Sequence, residues 1–162
     1  MSERTDHAAQ FLDAYNNRDW DTMKGLCAEN VTYYDNALGA GGARRDDLIN
    51  FWKAWTEALS DERVFDIDYI EDEAKGIVIT PLTFQGTHDG DDYLPGLKAN
   101  GKESAIRCCT IWRFDADNKI TSHEYFWDLC APLVELGHLP QPFLRENLKQ
   151  ATQIPPKVGA HY

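Results

Sequence analysis

The sequence predicts a single α+β domain on three observations: helical apolar spacing in its N-terminal third, strand-like alternation after it, and a length of 162 residues that suits one domain. Apolar residues make up 43% of the chain and aromatic residues 12%, enough side-chain area for a sizeable core and against global disorder.

Thr5 can cap a first helix, where Ala8, Phe11, Leu12 and Tyr15 repeat at the spacing of one buried stripe. Asp19 can cap a second, short helix that turns Trp20, Met23, Leu26 and Cys27 inward. Val31 to Asp35 is β-branched and aromatic and reads as the first strand. Gly39, Gly41 and Gly42 lead into a third helix with Leu48, Phe51, Trp52, Trp55 and Leu59 on a wide apolar face, suited to lying across a sheet. From Val64 the period becomes two, with Phe65, Ile67 and Tyr69 alternating with Asp66 and Asp68. Further strands are expected over Gly76–Phe84, Ser104–Phe114 and Ile120–Asp128. The last two form a hairpin across the polar turn Asp115-Ala116-Asp117-Asn118. Three helices followed by about five antiparallel strands make a curved sheet with helices on one face and room for a pocket. The expected division is a cone domain over residues 1–140 and a proline-framed tail over 141–162 with a short helix at Phe143–Thr152.

Charge and cysteine usage narrow the partners. Sixteen basic against 27 acidic side chains leave a net charge of −11, a field that repels phosphates and argues against nucleic acid and anionic membranes. Cys27, Cys108, Cys109 and Cys130 lack metal-motif spacing, and the polar start Met1–Asp6 is unlike a secretory leader, so a cytoplasmic, soluble protein is expected.

Several pieces in fixed order carry a resemblance. Phe11–Cys27 precedes Val31-Thr32-Tyr33-Tyr34-Asp35. Gly86-Thr87-His88-Asp89-Gly90 follows, then Lys119-Ile120 with Glu124 and Asp128, and finally Leu136-Gly137. Over roughly residues 8–140 this resembles the SnoaL-like polyketide cyclases of the nuclear-transport-factor-2-like superfamily. The resemblance implies an α+β cone with three N-terminal helices on a strongly bent antiparallel sheet, and a homodimer formed through the outer sheet face. It also implies a cofactor-free aldol ring closure in which a carboxylate ending the last strand is the general acid and base, a position matched by Asp128. Related superfamily members include epoxide hydrolases, dehydratases and ketosteroid isomerases, so fold alone does not fix the reaction, and a non-catalytic ligand-binding module is the rival. Where these cyclases carry a glycine- and proline-rich turn, this chain has Asp91-Asp92-Tyr93-Leu94-Pro95-Gly96-Leu97-Lys98.

The candidate catalytic residues are Asp128 and His88. Asp128 follows Tyr125-Phe126-Trp127, where aromatic surface would disfavour its charged form, or else it caps a helix starting at Leu129. His88 sits in the glycine-flanked strand end and can reach a pocket mouth, or it is a satisfied loop histidine. Candidate substrate contacts are Tyr34, Glu124, Phe126 and Trp112. Glu124 and Phe126 share a strand face with Asp128, although Glu124 equally suits a surface pair with an arginine. His123 has the opposite parity and is expected to point away from the pocket. Tyr34 is preferred to Asp35 because Thr32 and Asn36 on its face are polar.

No cofactor or metal is expected. Arg44 replaces the third glycine of a dinucleotide loop, Trp127 stands where a zinc-protease helix needs histidine, and Lys119 breaks the calcium-loop pattern begun at Asp115. The expected ligand is a small hydrophobic or aromatic organic molecule.

Overall fold

A computed structural model of the chain describes residues 2–91, 94 and 96–140. Ser2 opens helix α1 (Glu3–Asn16), its hydroxyl accepting from the Thr5 amide, and Phe11, Leu12 and Tyr15 are buried on the stripe that the spacing predicts. Thr5, the expected cap, instead lies in the first turn and donates to the Ser2 carbonyl. The chain reverses at Arg18, in the left-handed region with φ 59°, and Asp19 caps α2 (Trp20–Leu26) through the Thr22 amide.

Strand β1 (Cys27–Asp35) and the glycine-rich β2 (Ala40–Ala43) form an antiparallel pair, followed by α3 (Arg45–Ala58). The alternation expected from Val64 to Tyr69 is interrupted. Strand β3 (Arg63–Phe65) ends at Asp66, where φ is 53° and Arg107 holds both the backbone carbonyl and the carboxylate, and β4 (Ile70–Asp72) begins beyond it. The long strands β5 (Ile77–Thr87), β6 (Glu103–Phe114) and β7 (Ile120–Trp127) follow, then the short helix α4 (Cys130–Glu135). The described residues thus hold seven strands where about five were expected, the difference being β2 and the split at Asp66. The helix expected at Phe143–Thr152 lies outside the described residues.

The sheet runs β2-β1-β7-β6-β5-β3, with β4 also on β5, and every pair is antiparallel except β1 with β7. Cross-strand rows show which face is which. Val78, Trp112 and His123 stand opposite one another and are all fully buried; so do Leu82, Cys108 and Trp127, with Cys108 nearly buried and Trp127 partly so. These rows meet α1 and α3 through Phe11, Tyr15 and Trp52, whose rings pack edge to face at 4.3–5.6 Å. Such pairs add to the burial that drives the fold. The opposite rows, Pro81–Cys109–Phe126 and Ile79–Ile111–Glu124–Tyr34, form the outer face, where Phe126 is 39% and Tyr34 46% exposed. None of the described helices is long and apolar enough to cross a membrane.

Candidate functional site

Between α3 and the concave sheet lies a pocket whose empty space, with the open solvent at its mouth counted in, is about 520 Å³. Its walls are Trp52, Trp55, Phe84, Tyr125 and Trp127, and two carboxyl groups face it, from Asp35 and Glu62. No basic side chain lines it among the described residues.

Glu62 occupies the turn between α3 and β3 and is 4% exposed. One carboxyl oxygen accepts from the Tyr15 hydroxyl at 2.9 Å; the other has no hydrogen-bond partner among the described residues. Burial raises its pKa to about 8, against smaller lowering effects of the Tyr15 hydroxyl and the Arg18 guanidinium. The turn is tied down from several sides. Arg18 donates to the Glu62 carbonyl and to the carbonyls of Ser60 and Tyr15, while Asn16 exchanges two hydrogen bonds with the backbone of Val64.

The glycine-flanked motif completes this clamp. Asp61 accepts from the Thr87 amide and hydroxyl, Asp89 accepts from the Ser60 amide and hydroxyl, and the Gly90 amide donates to the Ala58 carbonyl. A Cβ on Gly90 would overlap the Glu57 carbonyl oxygen, and one on Gly86 would sit 3.2 Å from the Glu62 Cα, so glycine allows the close approach of β5 to the end of α3.

Asp35 ends β1 and is 1% exposed. Its Oδ1 accepts from the amides of Ala37 and Leu38 and its Oδ2 from the Trp127 indole, all at 2.9 Å. Beside it Tyr125, also lining the cavity, has its hydroxyl 2.9 Å from His123 Nδ1.

Several of the expected site residues are placed elsewhere. Asp128 is exposed, and its Oδ1 accepts from the Cys130 amide at the start of α4, just ahead of the N-cap position Leu129. Glu124 lies on the outer face, 3.6 Å from the Arg113 guanidinium, and Phe126 shares that face. Tyr34 points outward while Asp35 points in. Along β7 the alternation separates the two sets as expected, but the faces are reversed: His123 and Tyr125 turn inward. Trp112 is buried beneath the cavity and donates to Thr80 Oγ1 at 2.9 Å, not lining the cavity itself. His88 is buried outside the cavity lining. Its amide donates to the Lys102 carbonyl and its Nδ1 is 3.2 Å from His138 Nε2; burial, then His138, lowers its pKa. Among the described residues no group of three His, Cys, Asp or Glu side chains is placed to hold a metal ion.

Glu62 escaped the sequence reading because Ser60-Asp61-Glu62-Arg63 looks like a charged surface turn. A usable signal was present: Val64 faces the core, and period-two alternation carried back from it puts Glu62 on the same side. The same rule from Val31 through Tyr33 selects Asp35.

Comparison with known proteins accords with this architecture. A SnoaL-like domain family profile matches residues 8–123. No match is found among curated proteins. Among solved structures, AclR of Streptomyces galilaeus, named as a proposed hydroxylase, superposes with a TM-score of 0.76 at 19% identity, covering 94% of this chain and 92% of its own. A proposed polyketide cyclase of Xanthomonas campestris gives 0.73 at 21%, covering 83% and 96%. A proposed SnoaL-like polyketide cyclase of Jannaschia gives 0.73 at 15%, covering 85% and 93%. At these identities the neighbours establish a shared fold, and the profile, spanning most of the chain, establishes the family: this protein belongs to the SnoaL-like domain family.

Proposed function

We propose that the chain is a cofactor-independent acid/base enzyme of polyketide cyclase type, performing aldol ring closure or a related proton-transfer reaction on a hydrophobic, aromatic organic molecule held in the α3–sheet cavity. The observation that carries this reading is Glu62, a buried carboxyl group with one unpartnered oxygen in an aromatic pocket and a pKa raised to about 8. A general acid or base works best when its pKa lies near the working pH, where its carboxylate form can take a proton from carbon and its protonated form can return one. Asp35 complements it, since three donors fix its orientation and the remaining lone pair of Oδ2 can accept from a ligand. The aromatic walls suit a planar, weakly polar substrate, and two carboxyl groups without a lining cation disfavour an anionic one.

The test is hydrogen exchange on a simple ketone. In deuterated buffer the protein should accelerate exchange of the methyl protons of methyl naphthyl ketone, followed by proton NMR. Glu62→Gln should lower that acceleration by about 10²- to 10⁴-fold. Exchange at the buffer rate with the wild type would favour a ligand-binding module instead.

We further propose a homodimer. Pro81, Cys109 and Phe126 in one row and Ile79, Ile111 and Tyr34 in the next make a largely apolar outer sheet face, crossed by the Glu124–Arg113 pair, that the helices leave uncovered and a second copy would bury. Sedimentation should give twice the monomer mass at micromolar concentration; a monomer there, or a dimer unaffected by Phe126→Lys, would contradict this interface.

A further inference from the structure

Beneath the cavity, His123 is fully buried in an aromatic box. Its ring stacks on Trp112 with centroids 3.4 Å apart and planes at 18°, lies nearly parallel to Trp52 at 5.7 Å, and meets Phe11 edge to face at 5.8 Å. Nδ1 is 2.9 Å from the Tyr125 hydroxyl, whereas Nε2 has no hydrogen-bond partner among the described residues. Burial holds the imidazole pKa well below its ordinary value, so the ring is neutral and a single nitrogen carries the proton.

The two tautomers have different consequences at the cavity wall. A proton on Nε2 would leave an N–H without an acceptor inside the box and would oblige Tyr125 to donate its own proton to Nδ1. A proton on Nδ1 leaves only a lone pair unpaired, and buried orphan N–H groups are the rarer defect. Nδ1–H then donates to the Tyr125 oxygen. The Trp52 indole N–H makes no hydrogen bond among the described residues, so the contact with Nδ1 is what engages that oxygen. With its oxygen engaged as an acceptor, the phenolic proton is free to point into the cavity that Tyr125 lines.

We propose that Tyr125 donates a hydrogen bond to a carbonyl oxygen of the ligand, and that His123, as the Nδ1–H tautomer, is the positioning residue that turns the hydroxyl toward the cavity. The carbonyl oxygen that an aldol-type substrate carries is thereby given a specific donor in the cavity. A donor at the oxygen is the complement of carboxyl groups that exchange a proton on the adjacent carbon, because it stabilises the charge that builds on oxygen. The inference rests on the reading of this cavity as a small-molecule site, but its readouts need no turnover.

The first readout is the tautomer itself. Imidazole nitrogen NMR of the wild type, with the His123 signals identified by their absence in His123→Phe, should show Nδ1 protonated and Nε2 bare from about pH 6 to about pH 9. The second compares methyl naphthyl ketone with ethylnaphthalene, a similar shape without the oxygen, by quenching of cavity tryptophan fluorescence. The wild type should bind the ketone about 3- to 10-fold more tightly than the hydrocarbon, the margin of one neutral hydrogen bond. Tyr125→Phe should erase that margin while leaving hydrocarbon binding intact. His123→Phe, which frees the hydroxyl from its fixed direction, should reduce it in part. A protonated Nε2, or a ketone preference that is absent or that survives in Tyr125→Phe, overturns the proposal. A tyrosine-dependent preference without hydrogen exchange would instead remove the catalytic reading and leave this one standing.

Discussion

At the residue scale, the chemistry of the cavity turns on where two carboxyl groups meet water. Glu62 is held out of it by Tyr15, Arg18 and the end of α3, whereas Asp128 lies in it and serves α4. Asp128→Asn is accordingly expected to leave ketone exchange unchanged and to cost about 1 kcal/mol or less of stability, since asparagine caps nearly as well as aspartate. A large loss of exchange with the melting temperature unmoved would return Asp128 to the site. The inversion of these roles has a physical origin. The run Tyr125-Phe126-Trp127 is apolar on both faces of β7, because Phe126 packs in register with Pro81 and Cys109 on the outer face. Alternation therefore could sort residues into two sets but could not say which set faced the helices. Val31 before Asp35, and Val64 after Glu62, are the nearby residues whose burial breaks that tie.

At the element scale, the turn from α3 to β3 is placed by distant segments. Asn16 and Arg18 reach it from the end of α1, and Thr87 and Gly90 from the end of β5. The motif Gly86-Thr87-His88-Asp89-Gly90 was legible as a strand end, and its aspartate and glycines were visible; its task was not. It stitches the carboxyl end of α3 to β5 and so fixes the backbone that carries Glu62. Gly90→Ala should be destabilising by roughly 1 to 3 kcal/mol, because the added methyl group meets backbone that cannot rotate aside. Gly25→Ala, in α2 with nothing near the new methyl group, should be stabilising by about 0.5 to 1 kcal/mol. Melting curves of the two variants check the pair, and equal shifts would mean that the close approach at Gly90 is relieved by local movement. Helix boundaries are legible where a cap and an apolar stripe coincide, as at Asp19. Strand boundaries are less legible where a left-handed residue decides the path, as at Asp66 between β3 and β4, which no periodicity announces.

At the scale of the whole molecule, the order of helices and strands predicted the architecture, but the single parallel pairing of β1 with β7 came from neither pattern nor turn chemistry. That pairing brings the ends of both strands together, so Asp35 and Tyr125 share one register position at the cavity and the Trp127 indole reaches the Asp35 carboxylate. Burying a carboxyl group there has a global consequence. A folded-state pKa of about 8 for Glu62, against its ordinary value of 4.5, means that folding favours the protonated form. Its contribution to stability is therefore fully present below about pH 4.5 and is lost progressively as pH rises through 8. The loss is on the order of 3 to 5 kcal/mol. His123 acts in the opposite sense, since a depressed histidine pKa removes stability as pH falls below about 6.5. Denaturation midpoints should consequently fall between about pH 6 and pH 9 in the wild type and fall less in Glu62→Gln. The most direct test of the account is the titration of Glu62 itself, by carboxyl carbon NMR assigned by difference against Glu62→Gln. The account predicts a midpoint near 8 in the folded protein. A midpoint near the ordinary glutamate value would contradict it, because Glu62 would then be a solvated anion with no proton to offer at neutral pH.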